Sequence, residues 1–177
     1  MMLELIFKKL VYLLTMHPQV KVVILGLSNS GKSTIATMLK DRNWPIFEVD
    51  DEAQKRNRGI WPESEDVLDT LFKEINEEIF EHNDIIFVTS FLEIDDTKRL
   101  FDAGFKIIEI HASYEELRKR KIQRDGYPRD EWDRFNRNYE NFQKYLPKVS
   151  KYICLSLDTT GKKAELLVNE VEQELLR

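Results

Sequence analysis

The chain has 177 residues, 42% of them hydrophobic and 33% charged, which is the size and make-up of one globular domain with a sizeable core and no need of a disulfide or metal staple. With 27 Lys and Arg against 32 Asp and Glu the formal charge is −5, which argues against a dedicated nucleic-acid coat. The single cysteine, Cys154, excludes an internal disulfide framework and a cysteine-rich zinc site; a reducing, cytoplasmic setting is expected.

Residues 1–15 (MMLELIFKKLVYLLT) are apolar but interrupted by Glu4, Lys8 and Lys9. A membrane span needs about 20 largely apolar residues, and a secretory leader needs its charges first and a small-residue cleavage site. The stretch therefore reads as an amphipathic helical extension ahead of a single domain over 16–177. A peripheral membrane or partner helix and a start at Met16 are the other readings.

Beyond it, apolar runs alternate with helical patterns, the signature of a parallel sheet with crossover helices. Lys21–Leu25 (KVVIL) is a short buried strand, and Ile35, Met38 and Leu39 mark the helix after it. Residues 45–50 (PIFEVD) are a second strand. Trp61-Pro62 breaks the chain, and Ser64 is placed to cap a long helix with Val67, Leu68, Leu71, Phe72, Ile75 and Ile79 at helical spacing. Residues 84–91 are a third strand, a helix spans about 95–102, and residues 105–111 are a fourth strand. Helices over 114–124 and about 129–145 follow, separated by Asp125-Gly126-Tyr127-Pro128. Residues 151–157 form the fifth strand, and 162–176 close as a helix. Five parallel strands with helices between them predict a three-layer α/β/α sandwich with ligands at the strands' C-terminal ends.

Gly26-Leu27-Ser28-Asn29-Ser30-Gly31-Lys32-Ser33 matches G-x-x-x-x-G-K-[ST] between a predicted strand and a predicted helix. Gly26 and Gly31 let the backbone turn so that N–H groups of Ser28, Asn29, Ser30 and their neighbours face phosphate oxygens. The helix beginning near Thr34 adds its positive end. Lys32 brings a cation to the β- and γ-phosphates, and the Ser33 hydroxyl is a Mg²⁺ ligand. The motif binds nucleotide phosphate without naming the reaction.

The stretch GLSNSGKSTIA, the chain length and the basic helix pair after the fourth strand resemble the small P-loop kinases of the nucleoside and nucleotide kinase superfamily, such as nucleoside monophosphate kinases, dephospho-CoA kinase and adenylylsulfate kinase. The resemblance covers most of residues 21–177. It implies a P-loop NTPase fold with a short helical lid at about 118–139, and an ATP-dependent transfer of the γ-phosphate with Mg²⁺. Asp50 and Asp51 fall where such kinases keep a carboxylate that orients the acceptor or orders the metal, Asp50 being the candidate for Mg²⁺ and Asp51 for acceptor. Arg56 and Arg58 lie where acceptor phosphate is held, and Ser90 ends the third strand at the acceptor side. Arg120 and Arg124 resemble lid-entry arginines, and Arg134 and Arg137 lid-return arginines. Asp158-Thr159-Thr160-Gly161 resembles the loop lining the adenine pocket, with Thr160 as its nucleotide contact.

The third strand also departs from that pattern. Many nucleoside monophosphate kinases carry Asp-Gly there; this chain has Val88-Thr89-Ser90-Phe91, so the acid must come from Asp50 or Asp51. Asp125–Arg129 is too short for a zinc-bearing insert. The expected acceptor is a small molecule, in the first instance a nucleoside or nucleoside monophosphate, with Trp61 and Tyr127 available to stack on its base. Dephospho-CoA, adenylylsulfate, a sugar acid, or a DNA or RNA hydroxyl are the alternatives. Residues 118–137 carry eight Lys or Arg against four acids, enough to attract a phosphate backbone. A GTPase switch lacks its Asn-Lys-x-Asp motif here. Monomer and homodimer both stay open.

Overall fold

A computed structural model describes residues 18–62, 64–126 and 132–177. Its sheet contains β1 (Lys21–Leu25), β2 (Ile46–Glu48), β3 (Ile85–Thr89), β4 (Lys106–His111) and β5 (Ile153–Asp158) in the order β2-β3-β1-β4-β5, every pairing parallel. The expected extension over 1–15 and the aromatic Tyr127 lie outside the described residues.

The strands are short apolar runs because both sheet faces are covered. Along β1, Val22 and Ile24 enter one core with Ile35 and Leu39 of α1 (Lys32–Asp41) and Val168 and Val171 of α7 (Ala164–Leu175). Val23 and Leu25 enter the other core. It is built from Val49 and Ala53 of α2 (Val49–Arg56), Ile75 of α3 (Glu65–Glu78), Leu100 of α4 (Ile94–Asp102) and Phe142 and Tyr145 of α6 (Trp132–Val149). The period-two alternation of one central strand thus feeds two helical layers, and the α/β/α sandwich expected from the sequence is the architecture observed. Between them α5 (Tyr114–Asp125) follows β4, with Ser113 accepting a 3.3 Å hydrogen bond from the Glu116 N–H as its N-cap.

Three boundaries and one helix cap differ most from the sequence reading. The second strand stops at Glu48, and Val49–Arg56 is a helix instead of strand end and loop. Asp50, Asp51 and Glu52 fill its first turn, where acids are favoured by the helix dipole, while Val49 and Ala53, four apart, bury one face. Ser64 occupies the N-cap position of α3 with no side-chain capping bond. α6 runs through Pro147 to Val149, whose side chain is fully buried. A 3₁₀ turn over Ser150–Tyr152 delays β5 to Ile153.

Candidate active site

The loop between β1 and α1 sits at the C-terminal end of the central strand. A Cβ added to Gly26 would lie 2.0 Å from the Ile110 carbonyl oxygen, so only glycine lets the loop leave β1 against the end of β4. The Ser30 N–H closes a turn on the Leu27 carbonyl at 3.1 Å. Asn29 (φ 68°) and Gly31 (φ 102°) are both left-handed, a conformation that turns successive N–H groups toward a common centre. Lys32 opens α1, whose N-terminal end points into the same cleft.

Lys32 is almost wholly buried and donates from Nζ to the Leu27 carbonyl at 2.9 Å. Burial pushes its pKa down to about 8, with the charges of Asp50 and Glu48 opposing the fall. Those two acids come from the end of β2 and the first turn of α2, on the neighbouring side of the sheet. Desolvation raises both carboxyls; Ser33 hydrogen bonding opposes the rise at Glu48, and the Lys32 charge opposes it at Asp50. A buried cation, a loop hydroxyl and two carboxyls therefore meet in one place.

The loop is held by α5 and by the segment after β5. Arg120 of α5 donates from Nη1 to the carbonyls of Asn29 and Ser30, each at 3.2 Å, and to Thr159 Oγ1 at 2.9 Å. Its Nη2 reaches the Thr159 carbonyl at 2.9 Å, and its Nε pairs with Glu116 at 2.9 Å. Thr159 Oγ1 donates in turn to the Ser30 carbonyl at 2.8 Å. The Ser30 hydroxyl is fully buried and, among the described residues, has no hydrogen-bond partner.

These groups enclose a cleft of about 420 Å³. Of the residues singled out from the sequence, the cleft is lined by Ser28, Asn29, Gly31, Lys32, Ser33, Thr34, Asp50, Ser90, Arg120 and Arg124. Gly26 and Ser30 belong to the loop's buried underside. Asp51 lines a separate recess of about 80 Å³ with Glu52 and Lys55. Arg56 ties α2 to α3 by pairing with Glu52 at 3.1 Å and with Glu78 at 2.5 Å. Arg58 is exposed in the turn after α2, with φ 61°. Arg134 and Arg137 are exposed on α6 away from the cleft lining. Thr160 is also outside that lining; its Oγ1 accepts from the Ser113 N–H at 2.9 Å. Four polar lining residues were not among the candidates: Glu48, Thr89, Thr159, which entered the sequence reading only as a member of the Asp158–Gly161 loop, and Lys162. Glu48 stood inside the run read as a strand over 45–50, and only the structure makes it the strand's last residue.

Neither protein-family models nor curated protein sequences match the chain. Solved structures do. A shikimate kinase from Acinetobacter baumannii, in complex with shikimate, superposes with a TM-score of 0.70 at 15% identity, covering 89% of this chain and 93% of that one. The shikimate kinase of Aquifex aeolicus gives 0.65 at 21% identity over 87% and 94%. A gluconokinase from Sinorhizobium meliloti gives 0.57 at 19% identity over 88% and 91%. The fold is that of the small P-loop kinases. Within the P-loop kinase fold, the loop, the α1 N-terminus and the β2–α2 acids occupy the C-terminal edge of the sheet, where open α/β sheets bind ligands. No helix among the described residues is long and apolar enough to cross a membrane.

Proposed function

We propose that the chain is an ATP-dependent phosphotransferase that moves the γ-phosphate to a hydroxyl of a small molecule. The observation that carries this reading is the meeting of Lys32 with Asp50 and Glu48 at the mouth of a phosphate-binding loop. A phosphate-binding loop alone fits any NTPase; a carboxylate facing its lysine gives an acceptor hydroxyl a place to dock.

Lys32 neutralises charge on the transferring group, and the loop N–H groups and α1 terminus hold the donor phosphates. Asp50 accepts a hydrogen bond from the acceptor hydroxyl and takes its proton as the new bond forms. Arg124 lines the same cleft and adds positive charge there. Arg120 keeps the loop in shape through the carbonyls it grips.

The donor set also fits Mg²⁺. Ser33 and Glu48 are hard oxygen donors side by side at the loop, and this metal needs only one or two protein oxygens beside phosphate. Bound there, it would supply charge neutralisation between the phosphates.

The acceptor we favour is a small polyhydroxylated molecule without a phosphate of its own. Arg56 is occupied by two acids outside the cleft, and the similar structures named above are kinases of shikimate and gluconate by their descriptions. The nucleoside or nucleoside monophosphate expected from the sequence is the second reading, carried by the exposed Trp61 beyond α2. A nucleic-acid acceptor is less supported. Much of the basic charge of α5 is used internally: Lys119 and Arg120 pair with Glu116, Lys121 with Asp125, and Arg118 lies over the Trp132 ring.

An ADP-release assay with ATP and Mg²⁺ over polyols, sugar acids, nucleosides, nucleotides and oligonucleotides tests the proposal. Acceptor-dependent turnover is expected, falling at least about a hundredfold in Lys32→Ala, the scale of one lost preorganised contact. Near-wild-type transfer in that variant would sink the mechanism.

A further inference from the structure

We infer that Thr159 is a positioning residue for the phosphate cradle, acting on the donor phosphates through the Ser30–Gly31 peptide. The inference rests on the nucleotide reading above.

Thr159 spends every polar atom on this seating. Its N–H donates to the His111 carbonyl at 2.8 Å, fixing its backbone to the end of β4. Its carbonyl accepts from Arg120 Nη2 at 2.9 Å. Its hydroxyl proton goes to the Ser30 carbonyl at 2.8 Å, and a lone pair on the same oxygen accepts from Arg120 Nη1 at 2.9 Å. The side chain is nearly inaccessible to solvent, so water is no ready substitute for any of these bonds.

The direction of the Ser30 carbonyl sets the direction of the Gly31 N–H. The two belong to one planar peptide, and all described peptides are trans, so the groups point opposite ways. A carbonyl held toward Thr159 and Arg120 therefore sends the Gly31 N–H to the opposite side of its peptide, and Gly31 itself lines the cleft. Gly31 is free to take any orientation that its φ of 102° permits, so an external bond is what selects one. A Cβ added to Gly31 would meet Thr159 Cγ2 and Arg120 Nη1, each at 3.7 Å, which places both groups directly against this peptide. Arg120 alone holds the carbonyl at 3.2 Å; the shorter bond is the threonine's.

The test uses the full chain with two probes, ADP and inorganic tripolyphosphate, titrated calorimetrically into wild type, Thr159→Val, Thr159→Ala and Thr159→Ser. Val keeps the shape without the hydroxyl, Ala removes both hydroxyl and bulk, and Ser keeps the hydroxyl. The expected result is about tenfold weaker binding of both probes to the Val and Ala variants, the scale of one buried hydrogen bond. Wild-type binding is expected in the Ser variant. Unchanged affinity in Val or Ala overturns the inference, as does a loss restricted to ADP, which would place the effect on the base. Weak binding in Ser also overturns it, because packing would then be the cause. A wild-type chain that binds neither probe overturns the proposed function, and this inference with it. Wild-type binding with indifferent variants overturns the inference alone.

Discussion

Lys32 turns its ammonium back onto the Leu27 carbonyl of its own loop, 2.9 Å away, in a setting dry enough to bring its pKa to about 8. The ordinary value is 10.5, so between about 8 and 10.5 the unfolded chain binds more protons than the folded one at this site. Stability contributed by this group therefore rises with pH across that window. At neutral pH the buried charge costs the fold up to about 3 kcal/mol. Lys32→Met is accordingly expected to raise the melting temperature at pH 7 by several degrees, with the gain shrinking from about pH 8 and gone above 10.5. Thermal melts at the two pH values check it, and a lower melting temperature at pH 7 would contradict it.

The same lysine predicts proton uptake. Phosphate oxygens favour the charged ammonium and raise its pKa, so ADP binding at pH 8 should take up a fraction of a proton. Calorimetric titration in buffers of different ionisation enthalpy measures this directly. The uptake should vanish in Lys32→Met if any residual binding remains measurable.

Glu48 and Asp50 have carboxyls raised by desolvation. A raised folded-state pKa means that the native state binds more protons than the unfolded chain just above the ordinary carboxylate value, so stability falls as pH climbs through that range. Glu48→Gln should therefore stabilise the fold at neutral pH and lose that advantage below 4.5, the group's ordinary value. In the assay it should raise the Mg²⁺ concentration needed for half-maximal rate about tenfold, the usual scale for losing a group that orders a metal's surroundings. An unchanged Mg²⁺ dependence would remove Glu48 from the metal's surroundings.

Asp50→Asn separates acceptor chemistry from donor binding. The amide cannot take the acceptor proton, so turnover should drop by about a hundredfold, within the range of general-base contributions. ADP affinity should change less than threefold. Equal losses in both would assign Asp50 to the donor side.

Gly26→Ala and Gly161→Ala make a matched pair. The first brings a methyl to 2.0 Å from the Ile110 carbonyl, and the second meets nothing within 4 Å but sits at φ 66°. The steric clash with rigid backbone should destabilise by about 3 kcal/mol, and the strained turn by about 1 kcal/mol. Denaturant melts give both numbers, and a reversed order would refute the steric assignment.

The phosphate loop and the sheet were legible because their signals are local. A fixed spacing of two glycines, lysine and serine marks the loop, and apolar runs such as KVVIL mark buried strands. Helix α2 was not legible, because VDDEAQKR offers only Val49 and Ala53 as an apolar face. Its absence from the sequence reading hid Glu48, which looked like one polar step in a longer strand, and left Asp51 without a local cue that it lines the neighbouring recess, which shares Glu48 with the cleft. Thr159 was hidden for a different reason. Its partner Ser30 is 129 residues away in the chain, and no pattern within a turn of four residues announces a contact made through the tertiary fold.

The end of β4 receives both walls of the cleft. The Ile110 carbonyl abuts Gly26 where the loop departs, and the His111 carbonyl takes the Thr159 N–H where the opposite wall begins. Two segments from distant parts of the chain thus share one footing a single peptide long. The β2–α2 acids are seated at the far edge of the sheet, two strands from β1, so donor and acceptor sides of the cleft rest on separate footings.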